Sequence, residues 1–196
     1  MNAKEKWEQK HQDRLTTMAE PMPNERLKYL APSLNGGTAL DLACGLGGNS
    51  LFLAEGGYEV QAVDLSETAV KYVGEQAERR GLKVYPSVRD LTELKSLPFA
   101  KESFDLVVIT YYLDRRLFPY VKSLLKDGGC FFMETYFDSP KAGTEKVSSQ
   151  FRLKSNELLE HFNGWKVLYF EENDLEGRQT IFCWKDDRDC SCANRQ

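Results

Sequence analysis

Residues 39–66, ALDLACGLGGNSLFLAEGGYEVQAVDLS, decide the predicted fold, because a glycine-rich loop separates two apolar runs that each carry an aspartate near the end. The loop nearly matches the fingerprint G-x-G-x-x-G, with Ser50 in the last place, and Asp64 lies 19 residues after Gly45. This spacing is typical of a strand, a loop, a helix and a second strand whose terminal acid accepts hydrogen bonds from a ribose. The stretch therefore predicts a nucleotide-binding α/β unit.

A carboxylate just ahead of the loop, Asp41, distinguishes two candidate cofactors. A nicotinamide dinucleotide would place its pyrophosphate at the start of the following helix, where Asp41 would repel it. S-adenosylmethionine has no phosphate, and its methionine end carries a cationic ammonium and a cationic sulfonium. We therefore predict S-adenosylmethionine, with Asp41 at the methionine end and Asp64 at the ribose.

A third acid, Asp90, follows the next predicted strand, where its carboxylate would accept from the adenine amino group and the amide of Leu91 would face the ring. The alternative is that Asp90 only caps a turn or a helix, as single aspartates at strand ends often do. Cys44 is expected to support the loop as a small buried residue. The full set of expected cofactor-binding residues is Asp41, Ala43, Cys44, Gly45, Gly47, Asn49, Asp64, Leu65, Ser66, Asp90, Leu91 and Thr110.

The rest of the chain alternates between strand and helix patterns. Strands are predicted at 38–43, 58–63, 82–88, 104–110, 129–136, 165–172 and 178–184, the last two as a hairpin. Helices are predicted at 2–20, 23–31, 48–56, 66–80, 92–96, 115–126 and 155–162, with the fifth of these the weakest. Continuous apolar strands that alternate with helices indicate a doubly wound, mostly parallel sheet with an antiparallel strand at its end.

Composition bounds the class of protein. A chain of 196 residues is long enough for one domain with a sizeable core, and a net charge of −4 argues against nucleic acid as the main partner. No apolar run approaches the roughly 20 residues needed to span a bilayer, so no membrane association is expected. The five scattered cysteines predict no disulfide framework, which favours a cytoplasmic location. The sequence does not choose between a monomer and a dimer.

Three segments are expected along the chain: a helical lid at 1–22, a catalytic domain at 23–184 and a polar tail at 185–196. Trp7 and His11 would form the lid, or the helix would merely pack on the edge of the sheet. The tail contains a Cys-x-Cys pair that suits a soft metal. Because two thiols on a loose tail do not complete a site, no metal is predicted.

The stretch quoted first, the RDL of residues 89–91 and the SFDLVVITYYLDRRLFPYVKSLLKDGGCFFMETY of residues 103–136 are similar in order and spacing to class I S-adenosylmethionine-dependent methyltransferases. The resemblance covers about residues 25–184 and implies a seven-stranded sheet of order 3-2-1-4-5-7-6 with the last strand antiparallel. Within this superfamily the chain most resembles the small tellurite-resistance-type methyltransferases, through KWEQKH, YYLDRRLFPYV and METYFDSP followed by FRLKSNELLEHF. It departs from them at Asp114, where histidine is frequent, and at Tyr111 and Tyr112, which replace small polar residues.

The acceptor of the methyl group is expected beyond the fourth strand, beside Tyr111, Tyr112, Asp114 and Arg115. A tyrosine ring would face the sulfonium, and Arg115 or Arg116 would receive an anionic acceptor; alternatively the two arginines form a solvated helical turn and Tyr112 packs on the sheet. Methyl transfer is an in-line displacement that needs a base only for a protonated acceptor, so no catalytic residue is assigned. A small thiol, metalloid or xenobiotic is the favoured acceptor. A macromolecular acceptor, a non-catalytic cofactor-binding protein and an NAD-dependent reductase are the alternatives.

Overall fold

The computed structural model describes residues 2–17, 20–139, 141 and 147–185. The described chain divides into two compact units, with the boundary between Pro98 and Phe99. The predicted polar tail lies outside the described residues, apart from Lys185. Among the described helices, none is long and apolar enough to cross a membrane.

The first unit contains the glycine loop and the three strands nearest to it in sequence. Its elements are α1 (Ala3–Thr17), α2 (Glu25–Leu30), β1 (Gly37–Leu42), α3 (Gly48–Glu55), β2 (Tyr58–Asp64), α4 (Glu67–Arg80) and β3 (Val84–Val88), with 3-10 turns at Ala31–Ser33 and Leu94–Ser96. The strand residues Leu40, Leu42, Val60 and Val63 are fully buried. Adjacent strand residues such as Ala39 and Leu40 are both buried, as a parallel sheet requires, because both of its faces are covered.

The second unit contains the other four strands. Its elements are β4 (Phe104–Thr110), α5 (Leu117–Leu124), β5 (Leu125–Tyr136), α6 (Glu157–His161), β6 (Lys166–Asn173) and β7 (Arg178–Trp184), with a 3-10 turn at Ser149–Phe151. Its core includes Phe118, Phe131, Phe132, Phe162 and Phe182, all of them almost completely buried.

The seven strands form one sheet in the order β3-β2-β1-β4-β5-β7-β6. β1 with β2, β2 with β3, and β4 with β5 pair in parallel, whereas β7 pairs antiparallel with both β5 and β6. The predicted fold class, strand order and antiparallel strand seven are therefore confirmed.

In the sequence, Ser66 and Gly81 are standard start and stop signals for the helix predicted at 66–80, and the structure agrees with them, whereas it differs from the helix predicted at 115–126. The hydroxyl of Ser66 accepts from the amide of Ala69, 3.1 Å away, and the helix ends at Gly81 as expected. The α5 helix, by contrast, ends at Leu124 and not at the Asp-Gly-Gly of residues 127–129. Those residues belong to β5, because Gly128 and Gly129 exchange backbone hydrogen bonds with Lys185, the residue after β7. The weak helix predicted at 92–96 is only the 3-10 turn already given.

Candidate functional site

The glycine loop, residues 43–47, joins β1 to α3, and two glycines at its junction with α3 have no room for a side chain. Gly47 has a φ of 80°, and a Cβ built on it would lie 2.6 Å from a methyl carbon of Val73. A Cβ on Gly48, the first residue of α3, would lie 2.2 Å from the carbonyl oxygen of Met22. Both glycines are thus required by close approach of neighbouring segments, the first also by its left-handed backbone.

The carboxylate of Asp64, at the end of β2, ties the loop to the start of α4. Its Oδ2 accepts from the amide of Gly45 and its Oδ1 accepts from the amide of Ser66, each at 2.9 Å. The residue is 8% exposed. Each carboxylate oxygen has a second lone pair, so this pre-oriented group has acceptor capacity left for a ligand.

The carboxylate of Asp41 lies under the loop and is only half satisfied. Its Oδ2 accepts from the hydroxyl of Ser50 at 2.6 Å, whereas its Oδ1 is buried without a hydrogen-bond partner. The residue is 0% exposed, and this burial raises the pKa of its carboxyl to about 7. An acid that holds an open acceptor position in a buried site is completed by a cationic or hydrogen-bond-donating ligand.

Two further predicted cofactor residues already have partners within the chain. The side chain of Asn49 accepts from the amide of Asn24 at 2.8 Å. The exposed Asp90 accepts from the amide and the hydroxyl of Thr92 at 2.8 and 2.7 Å, the turn-forming alternative considered for it. The preceding residue lies beside the end of β2, since the amide of Arg89 donates to the carbonyl of Asp64.

The remaining predicted cofactor residues are placed as follows. Ala43 begins the loop with a positive φ of 59°, and burial raises the pKa of the Cys44 thiol, which suits a supporting role. Leu65 is half-buried between β2 and α4, and Leu91 is buried after β3. Thr110 ends β4 in the second unit.

The N-terminal helix places His11 directly over the glycine loop. His11 is 2% exposed, and its Nε2 lies 3.9 Å from Oδ1 of Asp64. A Cβ built on Gly45 would lie 3.4 Å from its Cε1. Burial lowers the pKa of His11, and the Nδ1 atom is buried without a partner. The ring stacks on Trp7 with 5.7 Å between centroids, so both predicted lid residues belong to one cluster.

Glu8 holds this helix in place, a contact that the sequence did not predict. Its Oε1 accepts from the amide of Thr68 at 3.0 Å and from the Thr68 hydroxyl, so it caps the first turn of α4. An ion pair of 2.6 Å between Lys4 and Glu67 lies alongside. The general reason for such a contact is that the amides in the first turn of a helix have no acceptor within the helix.

In the second unit, Tyr111 lies at the centre of a polar cluster after β4. Its hydroxyl donates to Oε1 of Glu134 at 2.6 Å, and its ring lies 5.5 Å from that of Tyr136. The guanidinium carbon of Arg178 lies 5.3 Å from the Tyr111 ring centroid. The half-buried Tyr112 follows in the loop.

The arginine predicted to receive the acceptor is engaged elsewhere. Arg115 forms a two-point ion pair with Glu157, at 2.5 and 2.9 Å, and donates to the carbonyls of Gln150 and Arg152. This pairing raises the pKa of Arg115. Asp114 is bonded to Arg116, whose hydrogen bonds lower the pKa of the aspartate. The acceptor role expected for Arg115 stays a prediction, which these contacts do not favour because its donors already have acceptors within the chain.

Comparison with known proteins agrees with this geometry. Residues 39–129 match a family described as a methyltransferase domain. The chain is 28% identical over 148 residues to TehB of Haemophilus influenzae, a probable S-adenosyl-L-methionine-dependent methyltransferase. The aligned region covers 72% of this chain and 50% of TehB. The chain thus spans about half the length of the curated relatives it matches.

Solved structures agree in fold. The crystal structure of TehB from Haemophilus influenzae matches with a TM-score of 0.72 and 22% identity, over 92% of this chain and 67% of TehB. A geranyl diphosphate C-methyltransferase from Streptomyces coelicolor, solved with S-adenosyl-L-homocysteine, matches with a TM-score of 0.65 and 17% identity, over 82% and 76% of the two chains. Residues 39–129 therefore match a methyltransferase domain, and the chain is similar to TehB in sequence and in fold.

Proposed function

We propose that the protein transfers a methyl group from S-adenosylmethionine to a small-molecule acceptor by direct in-line displacement. The observation that carries the cofactor assignment is the buried, unpartnered oxygen of Asp41 beneath the glycine loop. A pyrophosphate would bring more negative charge to this carboxylate, whereas a sulfonium and an ammonium would neutralise it. The end of β2 presents the carboxylate of Asp64, oriented by the amide of Gly45, to a ribose.

The first unit supplies the residues proposed to hold the cofactor. Asp64 accepts from the ribose hydroxyls with its remaining lone pairs, and Asp41 faces the cationic end. Leu91 packs on the adenine as a buried apolar residue. The α1 helix acts as a lid, because His11 covers Gly45 and its unpartnered Nδ1 needs a ligand or a solvent molecule to complete it.

Positioning is proposed to supply much of the rate. Methyl transfer joins two reactants, and holding them in line corresponds to effective concentrations on the order of 10⁵ M or more in favourable models. The cofactor supplies the methyl group on a sulfonium, which leaves as a neutral thioether. The protein's own residues orient the reactants and exclude water.

A small acceptor is favoured over a macromolecule by two observations. The chain carries a net charge of −4, which disfavours binding to a polyanion. Among the proteins of similar fold, the Streptomyces coelicolor enzyme is a C-methyltransferase of geranyl diphosphate, which is a small molecule. A cofactor-binding protein without turnover is the second candidate.

Calorimetry and product analysis together test the proposal. S-adenosylmethionine and S-adenosylhomocysteine should bind with saturation, and NADH should not. Methyl-labelled cofactor should then label a member of a panel of thiols, selenite, tellurite and small phenols. Binding without transfer to any acceptor would support the non-catalytic candidate, and NADH binding alone would refute the cofactor assignment.

A further inference from the structure

The α1 helix places a histidine beside the carboxylate that is proposed to hold the ribose, and both residues belong to the first unit. His11 is 2% exposed and Asp64 is 8% exposed. Nε2 of His11 lies 3.9 Å from Oδ1 of Asp64, which is too long for a direct hydrogen bond. The two atoms are therefore close neighbours that do not bond to each other.

The gap between these two atoms has the width of one bridging oxygen. An oxygen about 2.7 Å from the carboxylate oxygen and about 2.9 Å from the ring nitrogen makes an angle of about 90° across the 3.9 Å separation. A hydroxyl can form both bonds, because it has one proton to donate and two lone pairs that accept. Oδ1 of Asp64 has the capacity, since the amide of Ser66 uses only one of its lone pairs.

The imidazole ring is positioned by its own helix and by the glycine loop. It stacks on Trp7 with 5.7 Å between ring centroids, and the ammonium of Lys10 lies 4.3 Å from the Trp7 centroid. A Cβ built on Gly45 would lie 3.4 Å from Cε1 of His11, so the ring is close to the loop. A ring that is already packed in this way loses little further freedom when a ligand binds.

The proton on the imidazole ring decides which atom donates. Burial lowers the pKa of His11 from its ordinary value of 6.5, so the ring is neutral above that pH and carries one proton. The carboxylate of Asp64 only accepts, so a bridging hydroxyl gives its proton to Oδ1 and accepts from the ring. Nε2 is then the protonated nitrogen, and the buried Nδ1 is an acceptor without a hydrogen-bond partner.

We propose that His11 is a specificity-determining residue that, together with Asp64, binds one of the two vicinal hydroxyls of the cofactor's ribose, an inference that rests on the proposed function. His11 donates from Nε2 to the hydroxyl oxygen, and Asp64 accepts the hydroxyl proton. The site thus selects ribonucleosides over deoxyribonucleosides, because a ligand without that hydroxyl leaves the N–H of a buried ring unpaired. The α1 helix then contributes a recognition group as well as a cover.

Calorimetry with sugar-modified ligands tests this role of His11. Dissociation constants are measured for S-adenosylhomocysteine and for its 2′-deoxy and 3′-deoxy analogues, and the Kd of each analogue is divided by that of the parent within one protein preparation. In wild type, one of the two ratios should exceed about ten, because the missing hydroxyl loses its bonds to both His11 and Asp64. In His11→Asn, the same ratio should fall about threefold or more, since one of the two bonds is already absent.

Two further variants distinguish a lost hydrogen bond from lost packing. The side-chain amide nitrogen of glutamine extends to about the position of Nε2, whereas that of asparagine reaches only the position of Nδ1. His11→Gln should therefore keep the ratio within about twofold of wild type. Gln12→Ala, the matched control on the same helix, removes an exposed contact of 3.5 Å with the Thr68 hydroxyl and should also keep the ratio within about twofold.

Nitrogen-15 spectra of the imidazole give a second measurement, which does not depend on affinity. The chain has two histidines, and His161→Gln leaves His11 as the single ring to observe. In the complex with S-adenosylhomocysteine, His11 should be the tautomer that is protonated at Nε2. A bound ring protonated at Nδ1 alone would overturn the proposal, because it could not donate from Nε2.

The outcomes separate the role of His11 from the cofactor assignment. If the wild type binds S-adenosylhomocysteine and neither ratio changes in His11→Asn, or if the Asn and Gln variants lower the ratio equally, the role of His11 is overturned and the proposed function stands. Tighter binding by His11→Asn overturns the role too, because the ring would then be an obstacle that the ligand displaces. A wild type that binds neither S-adenosylmethionine nor S-adenosylhomocysteine overturns the proposed function, and the role of His11 with it.

Discussion

At the scale of single residues, the half-satisfied Asp41 makes cofactor binding depend on pH. Its pKa is raised from 3.8 to about 7 by burial, so the folded protein without ligand keeps this proton until near neutrality. A cation selects the ionised form, so S-adenosylmethionine should displace the proton. We predict that affinity rises by up to tenfold per pH unit below about pH 6 and flattens near 7, measured by calorimetry in buffers of different ionisation enthalpy.

Asp41→Asn should abolish this proton release and weaken binding at pH 7. The raised pKa also makes the stability of the unliganded protein depend on pH, but in the opposite direction to cofactor affinity. The unfolded chain loses the proton near pH 4 and the folded chain only near 7, so the contribution of Asp41 to stability falls as the pH rises through that window. Proton release that persists in the Asn variant would mean that another group titrates.

Asp64 should matter equally for the cofactor and its demethylated product, because both contain the ribose. Loss of its hydrogen bonds costs on the order of 1–3 kcal/mol, so Asp64→Ala should weaken both ligands roughly five- to 150-fold in calorimetry. The substitution also frees the amides of Gly45 and Ser66, and a melting curve should be recorded with each titration. Affinity equal to wild type for both ligands would refute the ribose assignment.

At the scale of elements, the α1 helix is held over the glycine loop by contacts that a lid would have to break. Glu8→Ala removes the cap on Thr68 and should loosen this attachment. We predict that cofactor dissociation accelerates by about tenfold in stopped-flow experiments that use the fluorescence of Trp7. Gln9→Ala, on the same helix and bonded to Asp13 one turn further along it, should change the rate little. Equal dissociation rates in wild type and both variants would indicate that α1 only packs on the protein and is not a lid.

The ion pair between Arg115 and Glu157 ties the start of α5 to α6. Arg115→Ala leaves a largely buried carboxylate without its two-point partner, and we expect a loss on the order of 1–3 kcal/mol in the free energy of unfolding. Arg116→Ala breaks a pair with Asp114 in which the guanidinium is largely exposed, and it should cost well under about 1 kcal/mol. Denaturant titration of both variants checks this. A larger loss for Arg116 would contradict the structural role of Arg115.

Local patterns predicted most of the fold. Continuous apolar runs such as Leu106–Ile109 gave the buried strands, and Ser66 and Gly81 gave both ends of α4. What local patterns missed are contacts between residues distant in sequence. Glu8 and Thr68 are 60 residues apart, and Arg115 and Glu157 are 42 apart. Such pairs depend on how the elements pack. The local pattern therefore predicted that Arg115 lies near the acceptor, and it did not predict the ion pair of Arg115 with Glu157.

At the scale of the whole molecule, the proposed acceptor class makes a prediction about where the methyl group goes. Heat-treated cell extract is divided by ultrafiltration into macromolecules and small molecules, and each fraction is incubated with protein and methyl-labelled cofactor. A chain with a net charge of −4 should not be attracted to nucleic acid, and label should enter the small-molecule fraction. The Asp64→Ala variant, assayed at a cofactor concentration well below its raised Kd, should label neither fraction. Label that is acid-precipitable and sensitive to nuclease or protease would keep the methyltransferase assignment and refute the small acceptor.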